Sequence, residues 1–388
     1  MTSLSDRIGR LTVGTRRLEE PPLVVPTPDS APVNRPGGRI YSLQWVRFVA
    51  AAMVLVYHAE AYLRRARGDG WEFPFVEAWF GPIGVALFFA LSGHLMASAM
   101  MRYDAGRFLM HRVVRIYPTF FLVTALAVLA GLVAGVRLPL RVDALLLMPW
   151  GGNGYPLAVE WTLVLEVLFY VLVSLLIAVG RQRMAASFVT GWLGLILIHN
   201  VRWPDDPTTN VFDGRLLPFL AYNTAFAFGM LFALVVKRGI HPVLALILGV
   251  ASWMVGQTQG LMGTRWGVGL GAAIVVTSLA RFTGGRWLFG ETRLGRLGNR
   301  LGNYSYVLYL VHVPTVRILY AHWDGPLARR AFVAAVALAL AVMIPLGEID
   351  TRLYKVLKRR VDRLSLRVVS ALAVGFGVLY LVQTIRFF

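Results

Sequence analysis

Long apolar stretches alternate with short polar breaks along almost the whole chain. Eleven of them can be marked, at roughly 41–62, 77–101, 113–135, 158–179, 185–199, 216–236, 242–257, 266–281, 302–320, 328–347 and 367–386. Many approach the ~20 residues that a helix needs to cross a bilayer. A helix satisfies its own backbone hydrogen bonds in lipid. The pattern therefore predicts an all-α, polytopic transmembrane helix bundle of about eleven spans. The fifth, seventh and eighth stretches are short, as tilted or broken helices would be. No internal repeat is visible.

Composition agrees with this reading. Of 388 residues, 57% are hydrophobic and only 15% are charged, well below the charge of an ordinary soluble domain. With no cysteine in the chain, disulfides, thiolate nucleophiles and cysteine–metal sites are excluded. The net charge of +19 sits largely in the breaks between apolar stretches. The positive-inside rule explains it without a nucleic-acid partner. With the N-terminus placed inside, the inner breaks hold 26 Lys and Arg and the outer ones 11, with Arg47 and Arg317 lying inside spans. The expected orientation is thus N-terminus cytoplasmic, in a multi-pass protein of the plasma (inner) membrane.

Residues 1–40 carry six arginines and six prolines and lack the apolar core of a signal peptide. They read as a disordered cytoplasmic tail. The main membrane domain spans 41–350. Residues 351–388 read as a basic cytoplasmic loop followed by one more span. Two outer connections stand out: the apolar, Pro- and Gly-containing 136–157, suited to a re-entrant or interfacial segment, and 200–215, with Asp205, Asp206 and Asp213.

Ionisable groups inside apolar stretches are costly and need a reason. Arg47 and His58 share the first stretch. Eleven residues make about three helical turns and a rise of roughly 16 Å, which puts both on one face. That face offers a cation near the cytoplasmic surface and an acid/base group far along the path, which suits a long donor with an anionic head and a reactive tail, such as acyl-CoA. Arg47 could equally snorkel to lipid phosphate while His58 bonds a neighbouring helix. Arg112 and Arg115 open the third stretch, three residues apart and able to hold phosphate, although basic flanks of spans are common. Glu166 lies within the fourth stretch and His312 about midway along the ninth, ahead of Pro314. Ser92 precedes Gly93, a pairing that also suits close helix contact.

These segments together resemble the membrane acyltransferase family 3, the O-acetylase-like integral membrane enzymes. The resemblance is carried in order by Arg47-x10-His58, by Gly84, Val85, Leu87, Phe88, Phe89, Ser92 and Gly93, by Arg112, Arg115, Ile116 and Pro118, by Trp161, Leu163 and Glu166, and by Ser305 to His312. It covers roughly residues 40–350. Departures are Ala86 for an acidic residue, His94 for an aromatic one, Thr162 for serine, Val167 and Leu168 for polar residues, and a Glu348-Ile349-Asp350 ending that only loosely echoes a Glu-basic-Pro pattern. The family core has ten spans, so the stretch at 367–386 is an addition.

The resemblance implies transfer of an acyl group, usually acetyl, from cytoplasmic acyl-CoA (acetyl-CoA) to a hydroxyl of a carbohydrate or small-molecule acceptor, across the lipid bilayer. It implies His58 as general base or acyl carrier and His312 as an aid to proton transfer. Glu166 would orient a histidine or the acceptor. Arg47, Arg112, Arg115 and, more weakly, Ser92 would bind the donor. No metal is implied. A transporter or flippase without covalent chemistry is the alternative use of buried Arg, His and Glu. Zinc-protease and hydrolase-elbow motifs are absent from the sequence.

Overall fold

The computed structural model describes residues 41–67, 76–147, 155–203, 216–282, 290–323 and 328–385. The expected 1–40 tail and the acidic part of 200–215 lie outside them. Among the described residues are eleven long helices, one for each apolar stretch: α1 Tyr41–Arg67, α2 Gly81–Ala99, α3 Ala105–Val133, α4 Glu160–Ala178, α5 Ala185–Arg202, α6 Asn223–Val235, α7 Pro242–Thr258, α8 Gly260–Arg281, α9 Arg293–Ala321, α10 Ala328–Arg363 and α11 Leu366–Ile385. No strand occurs among the described residues. Six helical segments, built on α1 to α5 and α10, are long and apolar enough to cross a membrane.

Helix ends follow local chemistry. Asp104 accepts the Arg107 backbone N–H at 2.8 Å and caps α3; Thr292 does the same for Gly295 at 3.1 Å and starts α9. The 136–157 connection contains one helical turn, Val142–Leu145. Leu147 and Ala158 take positive φ, at 52° and 64°, a region that costs a residue with a Cβ. Glu160 pins the second of these bends: its carboxylate accepts from the N–H groups of Leu157 at 2.7 Å and Val159 at 2.9 Å.

α4 threads the interior. Its Phe169 stacks on Phe226 of α6 and meets the edge of Trp192 of α5. α2 and α6 touch backbone to backbone. A Cβ at Gly93 would collide with the Phe226 carbonyl, and one at Gly229 with the Ala90 carbonyl. Glycine is required at both.

α1 and α9 run parallel. Gly302 lies on Gln44, His312 on His58, and the Tyr320 hydroxyl donates to the Ala59 carbonyl at 3.1 Å. Both numbers rise together along the seam. α10 continues as helix through Arg363, so the basic stretch expected as a loop is largely helical. It contains no glycine or proline after Gly347 to stop it. α11 lies on α3 and α4: Gly106 faces Ser370, Phe376 meets Tyr117, and the Tyr380 hydroxyl donates to the Val164 carbonyl at 3.2 Å. Its other face, with Val374, Val378 and Leu379, is exposed, as a lipid-facing surface would be.

Candidate active site

The α1–α9 seam brings two histidines together. His312 Nε2 lies 3.0 Å from His58 Nδ1, with ring centroids 4.9 Å apart. His58 Nδ1 is also 3.0 Å from the Val54 carbonyl, one turn back on its own helix. His312 Nδ1 is 3.1 Å from the Leu308 carbonyl, again one turn back. His312 is fully buried; His58 is partly accessible. The rings of Tyr57 and Tyr62 border His58, and that of Tyr309 borders His312. Tyr309 is fixed in turn by the Thr162 hydroxyl at 2.6 Å and by the edge of Phe88. Both hydroxyls also lie near the Val159 carbonyl, Thr162 at 2.9 Å and Tyr309 at 3.5 Å.

Glu166 stands apart from both histidines. It accepts hydrogen bonds from the hydroxyls of Ser92, at 3.0 Å, and Tyr170. Among the described residues it makes none to His58 or His312. Ser92 thereby gains a definite role: it ties α2 to α4 through this carboxylate.

The three arginines fall into two states. Arg115 donates to Asp350 Oδ2 at 2.8 Å. Thr119 donates to the other oxygen of the same carboxylate, and Asp350 is 1% exposed. The Arg115 guanidinium also lies over the rings of Tyr306 and Tyr354, each 5.2 Å away. Arg112 has ring contacts only, with Phe108 and Tyr170, both at 5.6 Å. It makes no ion pair with a described residue. Arg47 likewise has no ion pair among the described residues, but its charge is felt by Arg115, Glu166, Tyr170 and Asp350. Arg112 joins this group through Tyr170, so three guanidiniums and two carboxylates share one electrostatic neighbourhood. The surplus positive charge can attract an anion, and Arg47 and Arg112 are the cations free to contact it.

The first helix therefore links two chemistries. One end of its inner face joins the guanidinium cluster and the other presents an imidazole. A family model described as an acyltransferase domain matches residues 40–348, which take in both ends and every group described above except Tyr354 and Asp350.

The chain belongs to this acyltransferase family.

The acyltransferase is also 26% identical over 323 residues to Nodulation protein 10 of Rhizobium leguminosarum bv. viciae, a match covering 72% of this chain and 84% of that one. No solved structure matches. Family membership makes the molecule a multi-pass membrane transferase.

Four residues of the acyltransferase site were given no site role from the sequence. Tyr170 carries a readable signal, since it follows Glu166 by one helical turn and so shares its face. Asp350 was visible only as part of a loose terminal echo; a lone carboxylate flanked by apolar and basic residues was the sign to follow. Thr119 carries no local signal, because its partner lies 231 residues away; Tyr309 lies inside the Ser305 to His312 segment, but its partner Thr162 is 147 residues away.

Proposed function

We propose that this protein is an O-acyltransferase that moves an acetyl group from cytoplasmic acetyl-CoA to a hydroxyl of a carbohydrate-type acceptor at the outer side of the inner membrane. The observation that carries the reading is the double use of α1. Arg47 belongs to a net-positive cluster, and His58, roughly 16 Å further along the same helix, pairs with His312. CoA has this division, with phosphates at one end and a thioester at the end of a long arm.

Arg47 and Arg112 bind the donor phosphates. Arg115 supports them from behind through Asp350. Glu166, with Ser92 and Tyr170, shapes the passage between cluster and imidazole, and His58 supplies the acid/base nitrogen at the thioester. The Lys and Arg distribution supports an inside N-terminus, and with that orientation Arg112 is on the side where acyl-CoA is made. A hydrocarbon core is ~30 Å thick, so the Arg47-to-His58 rise carries the chemistry about halfway across. An acceptor arriving from outside meets it there.

The test uses sealed right-side-out vesicles loaded with labelled acetyl-CoA and given a membrane-impermeant saccharide outside. Label on the external saccharide is the expected result. Loss of ~10²–10⁴-fold is expected in His58→Ala, the range for a general acid–base group, with CoA binding retained. If saccharide is labelled only when enclosed with acetyl-CoA, transfer does not cross the membrane. Wild-type turnover in His58→Ala would take the imidazole out of the reaction.

A further inference from the structure

We infer that His312 is a positioning residue that holds His58 in one tautomer and leaves His58 Nε2 as the base. The inference rests on the acyl-transfer reading above. It follows from four nitrogens and two carbonyl oxygens.

A carbonyl oxygen only accepts, so the 3.0 Å contact to Val54 requires a hydrogen on His58 Nδ1. The 3.1 Å contact to Leu308 requires one on His312 Nδ1. A neutral imidazole has a single N–H. His312 Nε2 is therefore bare, and it faces His58 Nδ1–H at 3.0 Å. One assignment satisfies all three contacts, with the His58 proton shared between Val54 and His312. The opposite polarity would set the bare Nδ1 lone pair of each ring against a carbonyl lone pair. Of the four ring nitrogens only His58 Nε2 is left without a partner among the described residues, and it carries a lone pair.

The step then balances without another reagent. The acceptor O–H gives its proton to His58 Nε2 while its oxygen attacks the thioester carbonyl carbon. The C–S bond breaks, and the proton moves from Nε2 to the departing thiolate. The products are an ester and a free thiol. While His58 holds the proton, its Nδ1–H bond to His312 becomes charge-assisted and roughly twice as strong. The charge stays on His58, because His312 is fully buried and an unpaired charge is costly there.

Histidine-selective 15N labelling of the purified full chain in nanodiscs reads both tautomers, with His58→Ala and His312→Ala spectra giving the assignments. Both rings should be protonated at Nδ1 and bare at Nε2. A proton on His58 Nε2 in the resting protein overturns the inference. Kinetics supply the second arm, using thiol release from acetyl-CoA with glycerol as probe acceptor. His312→Phe fills the space without a lone pair, whereas His312→Gln keeps an acceptor oxygen. The Phe variant should lose about 10-fold in kcat with KM for acetyl-CoA unchanged, and the Gln variant should lose less. Equal kcat in wild type and the Phe variant would overturn the positioning role. Absence of thiol release in wild type would count against the acyl-transfer reading instead, and the spectra would still decide the tautomers.

Discussion

The two sides of α3 near its start make a useful contrast. Toward α10, Arg115 is paired with a buried carboxylate, which Thr119 also satisfies, and contacts two tyrosine rings. Toward α4, one turn earlier, Arg112 has aromatic neighbours and no carboxylate on it. Both belong to the same Arg-x-x-Arg pattern, and sequence alone treats them alike. The structure separates a cation that holds helices together from one available to a ligand. A buried pair contributes little net stability, yet removing one partner is expensive. A free guanidinium has the reverse profile: its loss spares the fold and weakens whatever it binds.

The largest effect should come from orphaning the paired side. Asp350→Ala leaves Arg115 buried without its carboxylate and should cost about 3–5 kcal/mol, read as a lowered unfolding temperature in detergent. Adding Arg115→Met should recover most of that loss, since an apolar replacement of both partners removes the stranded charge. No recovery would mean that the pair is not the unit described here. Next in size is the free side. Arg112→Ala should weaken CoA binding by about 1.5–3 kcal/mol, measured by calorimetry, and lower the unfolding temperature far less than Asp350→Ala, by its two ring contacts alone. Should the Asp350→Ala/Arg115→Met protein lose CoA affinity equally, the contrast between the two sides disappears. The smallest change is expected from Tyr354→Leu, which removes one of two rings from Arg115 and should cost about 0.5–1 kcal/mol of stability. CoA affinity should not move.

How much of this was legible beforehand depended on distance along the chain. Each apolar stretch became a helix, because that signal is local and repeated over many residues. His58, His312, Arg47 and Glu166 could be singled out because charge or imidazole in an apolar run is conspicuous. Their partnerships could not. His58 and His312 are 254 residues apart and Arg115 and Asp350 are 235, and nothing in either neighbourhood encodes the other. Glu166 shows the cost of this: its position inside a span called for a partner or a task, and the resemblance implied that it orients a histidine or the acceptor, while its hydrogen bonds go to Ser92 and to a tyrosine on its own helix. The helical run of α10 past Asp350 was obscured for another reason. Its Lys and Arg content suggested a loop, although Leu353, Val356, Leu357 and Val361 keep a helical rhythm through the basic residues.

The parallel seam between α1 and α9 also sets a schedule. His58 is made early in synthesis, and the seven described long helices α2 to α8 and most of α9 follow it from the ribosome before His312 exists to meet it. Chains grow from the N-terminus and their parts settle in that order. A chain stopped anywhere in that interval has its guanidinium and its first imidazole but no assembled pair. The acid/base centre is thus withheld from every incomplete product and appears only when the ninth helix docks beside the first.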